Sequence, residues 1–371
     1  MRLLLVKQQV GFGIVEMMVA IVIALVSSLV IFETFAVSEG IKRTSTSGSD
    51  AQQNGSAALY MIEREARMAG YGINNQLLLG CTVRYYDKNG TGVPATLTLA
   101  PVVITPGATP ADSDRVTLMF GDSDLFANPA RLIQNMPSPS ATYKVDNRFG
   151  FSEGDLVIAA ESGLDCTLAE VTNVPGTTGQ SDNVIHNPGN YQVGKDTVSS
   201  RYNRPGGLGV SYTTNGRLFN LGKAPTQDEY RIEANRLVAE HHFGNLATDI
   251  VGEQIVQLKA QYGKDDGVNN GTVTNVGAFT ANDGLVDSYS NVAPATPAAW
   301  RQVMSLRLGV VARSATPEKP AVAGGACDTT TSFPTWSGGQ IDVSADANWR
   351  CYRYRVFETI VPLRNLLWMQ S

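Results

Sequence analysis

The sequence predicts an α+β protein in which a long N-terminal helical stem precedes a large β-rich head. Residues 12–37 form an apolar run that contains only two ionisable side chains. No proline occurs before Pro94, so nothing forces a break in a helix that continues to about Ala69. Beyond Gly72, short apolar runs alternate with glycine-, serine- and asparagine-rich segments, a pattern that predicts strands and turns.

The apolar run is long enough to cross a membrane. At about 1.5 Å per residue, a helix over residues 12–37 is roughly 39 Å long, against about 30 Å for the hydrocarbon core. Glu16 lies one turn inside this span, where an unpaired charge costs about 2.5–3.5 kcal/mol on insertion scales. This energetic cost predicts that Glu16 pairs with a positively charged group. A cut after Gly11 would give Phe12 a positively charged amine, and in a bundle of stems this amine could neutralise the glutamate of a neighbouring chain.

The residues before the cut have the composition of a leader. Arg2 and Lys7 are positive and no residue in 1–11 is negative, as expected for a cytoplasmic segment under the positive-inside rule. A secretory signal peptide is cut after its apolar core. Here the candidate site precedes the core, so the hydrophobic segment would be retained. The alternative interpretation is an uncleaved single-span anchor of a periplasmic enzyme or binding protein.

The start of the apolar run resembles a known signal. Residues 11–21 begin with Gly-Phe-Gly-Ile-Val-Glu and continue as an apolar run, which is similar to the class III signal of type IV pilins and type II secretion pseudopilins. The resemblance implies cleavage between Gly11 and Phe12 by a prepilin peptidase, which also N-methylates Phe12. It further implies that Glu16 docks the subunit into a helical filament.

The end of the predicted helix narrows the resemblance. Residues 67–71 read Arg-Met-Ala-Gly-Tyr and Cys81 follows them, an arrangement similar to that of PilW-type minor pilins. Residues 306–314, 354–359 and 363–365 also resemble that family. The resemblance implies a minor pilin of a bacterial type IV pilus, placed in the tip or priming complex that starts assembly. Type II secretion pseudopilin is the alternative within the same class.

The resemblance also implies partners and a location. The expected partners are the prepilin peptidase, other minor pilins and the major pilin, with a large pilus-tip adhesin as a further candidate. The precursor is expected in the inner membrane with a periplasmic head, and the mature chain in the extracellular pilus, at its tip. Such pili serve adhesion and twitching motility.

An enzymatic function is not predicted. The sequence has no HExxH, GxSxG, Walker A or GxGxxG motif, and we expect no cofactor. The formal net charge of −5 becomes more negative when Arg2 and Lys7 leave with the leader. This acidic balance, without a basic stripe, argues against direct nucleic-acid binding.

Four cysteines follow the apolar run, and they predict disulfides. Their even number on the translocated side of the membrane favours an oxidised framework. Three connectivities are possible, and we favour Cys81–Cys166 and Cys327–Cys351 because each joins cysteines within one half of the chain. No pair has CxxC spacing, so neither a zinc site nor a redox motif is supported.

The candidate metal ligands of the sequence are three acidic loops and a pair of histidines. Residues 87–92 begin like a calcium loop, and 112–114 and 265–267 are rich in aspartate, but none has the full ligand pattern, so we interpret the first as a turn and the others as solvated loops. The adjacent His241 and His242 would point to opposite faces of a strand. No metal site is therefore predicted.

The predicted domain layout has four parts: a leader at 1–11, a transmembrane or filament-core helix at 12–37, an amphipathic continuation of the stem at 38–70, and a head at 71–371. The head has a candidate subdomain boundary near 180–205. Within it, the clearest predicted strands cover 115–120, 155–160, 256–262, 304–310 and 352–359. The segments 256–262 and 304–310 alternate between apolar and other residues, which predicts half-buried strands. A further prediction is a hairpin with a type I′ turn at Asn215-Gly216, flanked by strands at 210–214 and 217–221.

Overall fold

The computed structural model confirms the predicted α+β, pilin-like architecture, in which a long N-terminal helix precedes β-rich sheets. The described residues are 11, 13–73, 75, 78–123, 129–175, 182–244, 247–273, 278–320, 322 and 324–367. The chain divides into two compact units between Asp50 and Ala51. We refer to residues 14–50 as the stem and to the unit that begins at Ala51 as the head.

Helix α1 covers Ile14–Met68 and is the longest element. It continues through residues 40–55 although glycine, serine and threonine are poor helix formers there. Two short α-helices follow in the head, α2 at Pro297–Arg301 and α3 at Arg364–Leu367, together with a 3₁₀ turn at Trp349–Cys351.

The strands of the head vary in length, and the two longest, β16 and β18, lie after residue 226. Their bounds are β1 Thr82–Tyr85, β2 Ala95–Thr98, β3 Val102–Thr105, β4 Arg115–Phe120, β5 Ala130–Arg131, β6 Tyr143–Lys144, β7 Leu156–Ala160, β8 Cys166–Glu170, β9 Asn183–Val184, β10 Asn190–Val193, β11 Asp196–Ser199, β12 Arg217–Gly222, β13 Thr226–Glu233, β14 Arg236–His241, β15 Thr248–Glu253, β16 Ile255–Lys264, β17 Ser288–Ser290, β18 Val303–Arg313, β19 Thr335–Trp336, β20 Gly339–Gln340 and β21 Tyr354–Pro362.

These strands form three larger sheets and three two-stranded ribbons. The six-stranded sheet has the order β2-β1-β8-β7-β12-β5, the five-stranded sheet β15-β14-β13-β4-β3, and the four-stranded sheet β17-β16-β18-β21. The ribbons are β6-β9, β10-β11 and β19-β20. Strands before and after residues 180–205 both belong to the six-stranded sheet, and the subdomain boundary near that segment stays a prediction.

The main core lies where the head half of α1 packs against the five- and four-stranded sheets. The helix presents a face of small and aliphatic residues to them, and the sheets present mainly branched aliphatic side chains in return. Small residues allow the helix axis to approach the sheets closely, and the aliphatic residues fill the remaining space. The buried helix residues are Ala51, Ala58, Leu59, Ile62, Ala66 and Ala69.

Strand β18 differs from its prediction as a half-buried strand, because all of its residues are buried. One face packs in the main core. The other is covered by a smaller cluster formed by Val311, Ile341 and Val343, with Trp336 and other partly buried side chains around it. Gly309 leaves the space for the Trp336 ring, since a Cβ atom there would lie only 2.6 Å from that ring.

The hairpin predicted at Asn215-Gly216 is wrong. Residues 210–214 form no strand, and β12 pairs instead with β7 and β5. A type I′ turn needs positive φ at both central residues, and neither Asn215 nor Gly216 has it. The preceding segment is held by Glu161, whose carboxylate accepts hydrogen bonds from the amide and hydroxyl of Thr213.

Two disulfides join the predicted cysteine pairs. Cys81 bonds Cys166 across the six-stranded sheet, and Cys327 bonds Cys351 across the segment that covers β18. Strand β1 pairs in parallel with β8 at Val83 and Cys166, so the first bridge reinforces contacts between segments distant in sequence. In the chain-entropy model such long loops gain the most from a crosslink, about 3–5 kcal/mol.

Gly55 provides a test of the packing between helix and sheet. A Cβ atom at this position would overlap the ring of Phe357 on β21. We expect Gly55→Ala to destabilise the head by about 1–3 kcal/mol, as overpacking does in other cores. Thermal unfolding of the full-length protein in detergent, followed by circular dichroism, measures the effect.

Gly40→Ala is the matched control, because no heavy atom lies within 4 Å of its Cβ position. This variant should be neutral or slightly stabilising, by up to about 1 kcal/mol, since alanine favours a helix over glycine. Equal melting temperatures for Gly55→Ala and the wild type would contradict the packing argument.

Candidate functional site

The candidate docking residue Glu16 lies in the first turn of helix α1 and is exposed. Its backbone N–H donates to the Gly13 carbonyl oxygen at 3.0 Å, which starts the helix. A carboxylate near a helix N-terminus is favoured by the helix dipole. Gly11 is also exposed, whereas Phe12 and the leader residues 1–10 lie outside the described part of the chain.

The stem surface around Glu16 is apolar and exposed. Helix α1 contains a segment long and apolar enough to cross a membrane, judged by length and composition. Ile14, Phe32 and Phe35 each expose at least 70 % of their surface, and the other large apolar residues of the stem expose more than half of theirs. Such a surface is stable only in lipid or against other apolar stems.

At the other end of α1, two family-like segments meet. The Asn365 side-chain amide donates to the carbonyl oxygens of Met68 at 3.1 Å and Ala69 at 3.0 Å. These carbonyls belong to the last turn of the helix, where such groups lack partners within the helix. Gly70 follows with φ +86°, and Pro101 and Asn365 occupy the space where a side chain would be. The C-terminal segment therefore caps the stem helix.

The loop at 87–92 is a turn built around an ion pair. Nε and Nη2 of Arg201 each donate to one oxygen of the Asp87 carboxylate at 2.7 Å, and the Asn89 amide donates to it at 2.9 Å. Burial alone would raise the pKa of Asp87, but the hydrogen bonds from Arg201 and the backbone outweigh it and lower the pKa. The charges that a calcium ion would need are thus engaged by a guanidinium.

The two other candidate loops also contain internal partners. The Lys259 ammonium donates to the carbonyl oxygens of Pro110 at 3.2 Å and Asp112 at 2.5 Å. The Asp265 carboxylate accepts from three consecutive backbone amides, at residues 282–284. Among the residues that the structure describes, no three His, Cys, Asp or Glu side chains form a group that could hold a metal ion.

The three histidines have separate environments. His186 stacks on Tyr143 with ring centroids 4.2 Å apart, and burial lowers its pKa. His241 ends strand β14 and contacts Asp228 and Asp249. The backbone amide of His242 donates to the Gln227 carbonyl. His186 and His241 therefore belong to different parts of the head.

Comparison with known families assigns the C-terminal region. Residues 233–365 match the family model of PilW, the type IV pilus-assembly protein W. We refer to these matched residues, which are about a third of the chain, as the PilW domain. It extends from the last residue of β13 to α3 and contains all of the four-stranded sheet. A search of curated proteins and a search of solved structures each gave no match.

The PilW match confirms the family inferred from the sequence. The segments 306–314 and 354–359 lie inside the match, on β18 and β21, which pair with each other. The segments 11–21 and 67–71 lie outside it. The structure nevertheless brings the end of the second of these into contact with Asn365, inside the PilW domain.

Sequence reasoning missed several residues that organise the head. In the sequence, Asn365 belongs only to a segment that resembles the PilW family. Its role as a cap of α1 depends on a contact across 297 residues. Arg201 lies in a polar segment without a local pattern, yet it neutralises Asp87. The sequence indicates His241 only as a candidate metal ligand. Gly70 and Gly72 mark the end of the helix in the sequence, but they do not indicate which distant segment caps it.

Removing the Asn365 amide tests the cap. We expect Asn365→Ala to reduce the free energy of unfolding by about 1–2 kcal/mol, because the Met68 and Ala69 carbonyls lose the Asn365 amide and Met68 keeps only the Tyr71 amide. Arg364→Ala is the matched control, since this neighbour in α3 is exposed. Chemical denaturation of the full-length protein in detergent compares the two. Equal losses in both variants would argue against a capping role.

The Arg201–Asp87 pair predicts a pH dependence. Because the folded-state pKa of Asp87 is lowered, the pair stabilises the head above the unfolded pKa, near 3.8, and this contribution is lost as the pH falls through the folded value. We expect Asp87→Asn to cost about 3 kcal/mol at pH 7, as expected for a buried pair that loses one partner. The difference between variant and wild type should shrink towards pH 3. Denaturation series at several pH values measure it, and a constant difference would contradict the mechanism.

Proposed function

We propose that this chain is a minor pilin of a bacterial type IV pilus and acts in the tip or priming complex that starts pilus assembly. The PilW domain at residues 233–365 is the observation that carries the proposal, because that family functions in type IV pilus assembly. The apolar helix and the two disulfides are typical of a membrane-anchored extracytoplasmic protein. The PilW match favours the pilus over the secretion system of the pseudopilins.

In this proposal the chain is processed at its N-terminus. A prepilin peptidase cuts between Gly11 and Phe12, removes the leader at 1–11 and methylates the new amine of Phe12. The retained chain then consists of a transmembrane or filament-core helix at 12–37, an amphipathic continuation at 38–70, whose last part belongs to the head unit, and the β-rich remainder of the head at 71–371. The early position of the cut explains why an apolar segment with exposed side chains is kept.

Glu16 supplies the chemistry of docking. In the inner membrane its carboxylate lies among apolar side chains, and the N-terminal amine of an adjacent stem is a suitable counter-ion. Pairing removes most of the cost of an isolated charge in lipid, about 2.5–3.5 kcal/mol on insertion scales. Since the amine and the carboxylate are one helical turn apart along their chains, pairing also sets the axial offset between neighbours. The exposed apolar side chains of the stem then pack together.

The partners in this proposal are the prepilin peptidase, other minor pilins and the major pilin, and a tip adhesin that the head helps to present. The precursor lies in the inner membrane with its head in the periplasm, and the mature chain lies in the extracellular pilus, at the tip. The large head favours a position at the end of a fibre, since it would crowd a filament in which it recurred at every site.

Glu16→Ala tests docking. The variant should insert, lose its leader and fold its head, because Glu16 belongs to the stem unit and its side chain is exposed. It should be at least tenfold depleted from sheared pili, which matches about 1.4 kcal/mol of lost pairing energy. Immunoblots of membranes and pili measure incorporation, and mass spectrometry of the pili should detect a chain that begins at N-methylated Phe12.

Glu33→Ala is the matched control, because Glu33 is the only other ionisable residue in the span at 12–37. It should be incorporated at the wild-type level. Wild-type levels of Glu16→Ala in sheared pili would refute the docking role. A chain that still begins at Met1 would refute the processing step and with it the assignment as a pilin.

A further inference from the structure

His241 lies where three strands of the five-stranded sheet meet. It is the last residue of β14 and is directly opposite Asp228 on β13. Its backbone amide donates to the Ala247 carbonyl at 3.1 Å, just before β15 begins at Thr248. Strand β15 is an edge strand that pairs only with β14. The imidazole therefore lies at the point where the edge strand joins the sheet.

Both ring nitrogens of His241 contact carboxylates. Nδ1 lies 2.8 Å from Oδ1 of Asp228, and Nε2 lies 3.2 Å from Oδ2 of Asp249 on β15. A neutral imidazole has one N–H, so it can donate to only one of these oxygens and would direct a lone pair at the other. The imidazolium donates to both. The geometry is therefore that of the protonated ring.

The other ionisable groups near His241 lie on helix α1 and strand β13. From helix α1, the carboxylate of Glu65 and the guanidinium of Arg64 act electrostatically on this region, and burial raises the pKa of Glu65. Tyr230 on β13 hydrogen-bonds Glu65. Hydrogen bonds to Asp228 and Asp249 raise the pKa of His241, partly opposed by burial. The nearby carboxylates thus favour the charged ring.

The two halves of β15 are held differently. Thr248, Asp249 and Ile250 are exposed, so the contact from Asp249 to His241 and the pairing with β14 hold them. Val251 packs against the main core, and a Cβ at Gly252 would lie 3.1 Å from Ala58 on helix α1. The second half of the strand is therefore fixed by the core and the first half is not.

We propose that His241 is a proton-controlled clip that fastens the first half of edge strand β15 to the sheet. The charged ring donates hydrogen bonds to Asp228 and Asp249 and so holds β15 against β14. When the ring loses its proton, one of the two carboxylates loses its donor. Asp249, the more exposed of the two, is released, and residues 248–250 fray from β14.

The sign of the pH dependence follows from linkage. A histidine whose folded-state pKa is raised stabilises the closed form at pH values below its unfolded pKa, and this contribution is lost as the pH rises through the folded value. The clip is therefore closed in mildly acidic surroundings and opens in alkaline ones. The head would present a more accessible β14 edge at alkaline pH.

Hydrogen exchange of the full-length protein in detergent tests the clip. Protection factors, corrected for intrinsic exchange, are measured by mass spectrometry at pH 6 and pH 9. We expect the protection of residues 248–250 to fall about tenfold between these pH values, because the neutral ring no longer donates a hydrogen bond to Asp249. Residues 251–253 form the internal reference and should change little. Equal protection of residues 248–250 at the two pH values would overturn the proposal.

Matched variants identify the titrating group. In His241→Gln the protection of residues 248–250 should be low and independent of pH, whereas His242→Gln should retain the wild-type fall. Asp249→Asn, which keeps the Asp228 contact, should also abolish the fall and serves if His241→Gln does not fold. A wild-type fall in His241→Gln would overturn the proposal. Loss of the fall in Glu65→Gln together with its retention in His241→Gln would also overturn the proposal, because this result would assign the titration to Glu65.

Discussion

The close packing of helix α1 against the five- and four-stranded sheets is the constraint on which the head depends. The helix can approach β21 at Gly55 and β15 at Ala58 because neither residue has more than a methyl group. The buried alanines continue this narrow face to Ala69. Helix α1 thus has two parts with opposite composition, a stem with bulky exposed side chains and a head segment with small buried ones. One element therefore serves two environments.

The sequence was a good guide to elements with a strong local pattern. The apolar run and the lack of proline predict the helix, which ends at Met68, one residue from the expected position. Alternation predicts β16, and apolar runs between turn residues predict β4 and β7. These patterns arise from burial on one side of a segment, which is recorded in the residues of that segment alone.

The errors and omissions concern contacts between distant segments. The hairpin at Asn215-Gly216 is wrong because Glu161, more than fifty residues earlier, holds Thr213 in another conformation. Burial of both faces of β18 depends on a covering segment after it in the chain, which no periodicity within β18 records. The same limit applies to Asn365, Arg201 and His241. Each acts on a partner set by the tertiary fold rather than by spacing.

The cap at the end of α1 has a consequence for the order in which the protein can mature. Asn365 caps a helix end that lies 297 residues earlier in the chain. The helix can form as soon as its own residues have been made, but the carbonyls at Met68 and Ala69 receive the Asn365 amide only after residue 365 has been translated. Strand β21 arrives equally late. A product that stops before residue 354 therefore lacks both the cap and β21, the strand that packs against the helix at Gly55.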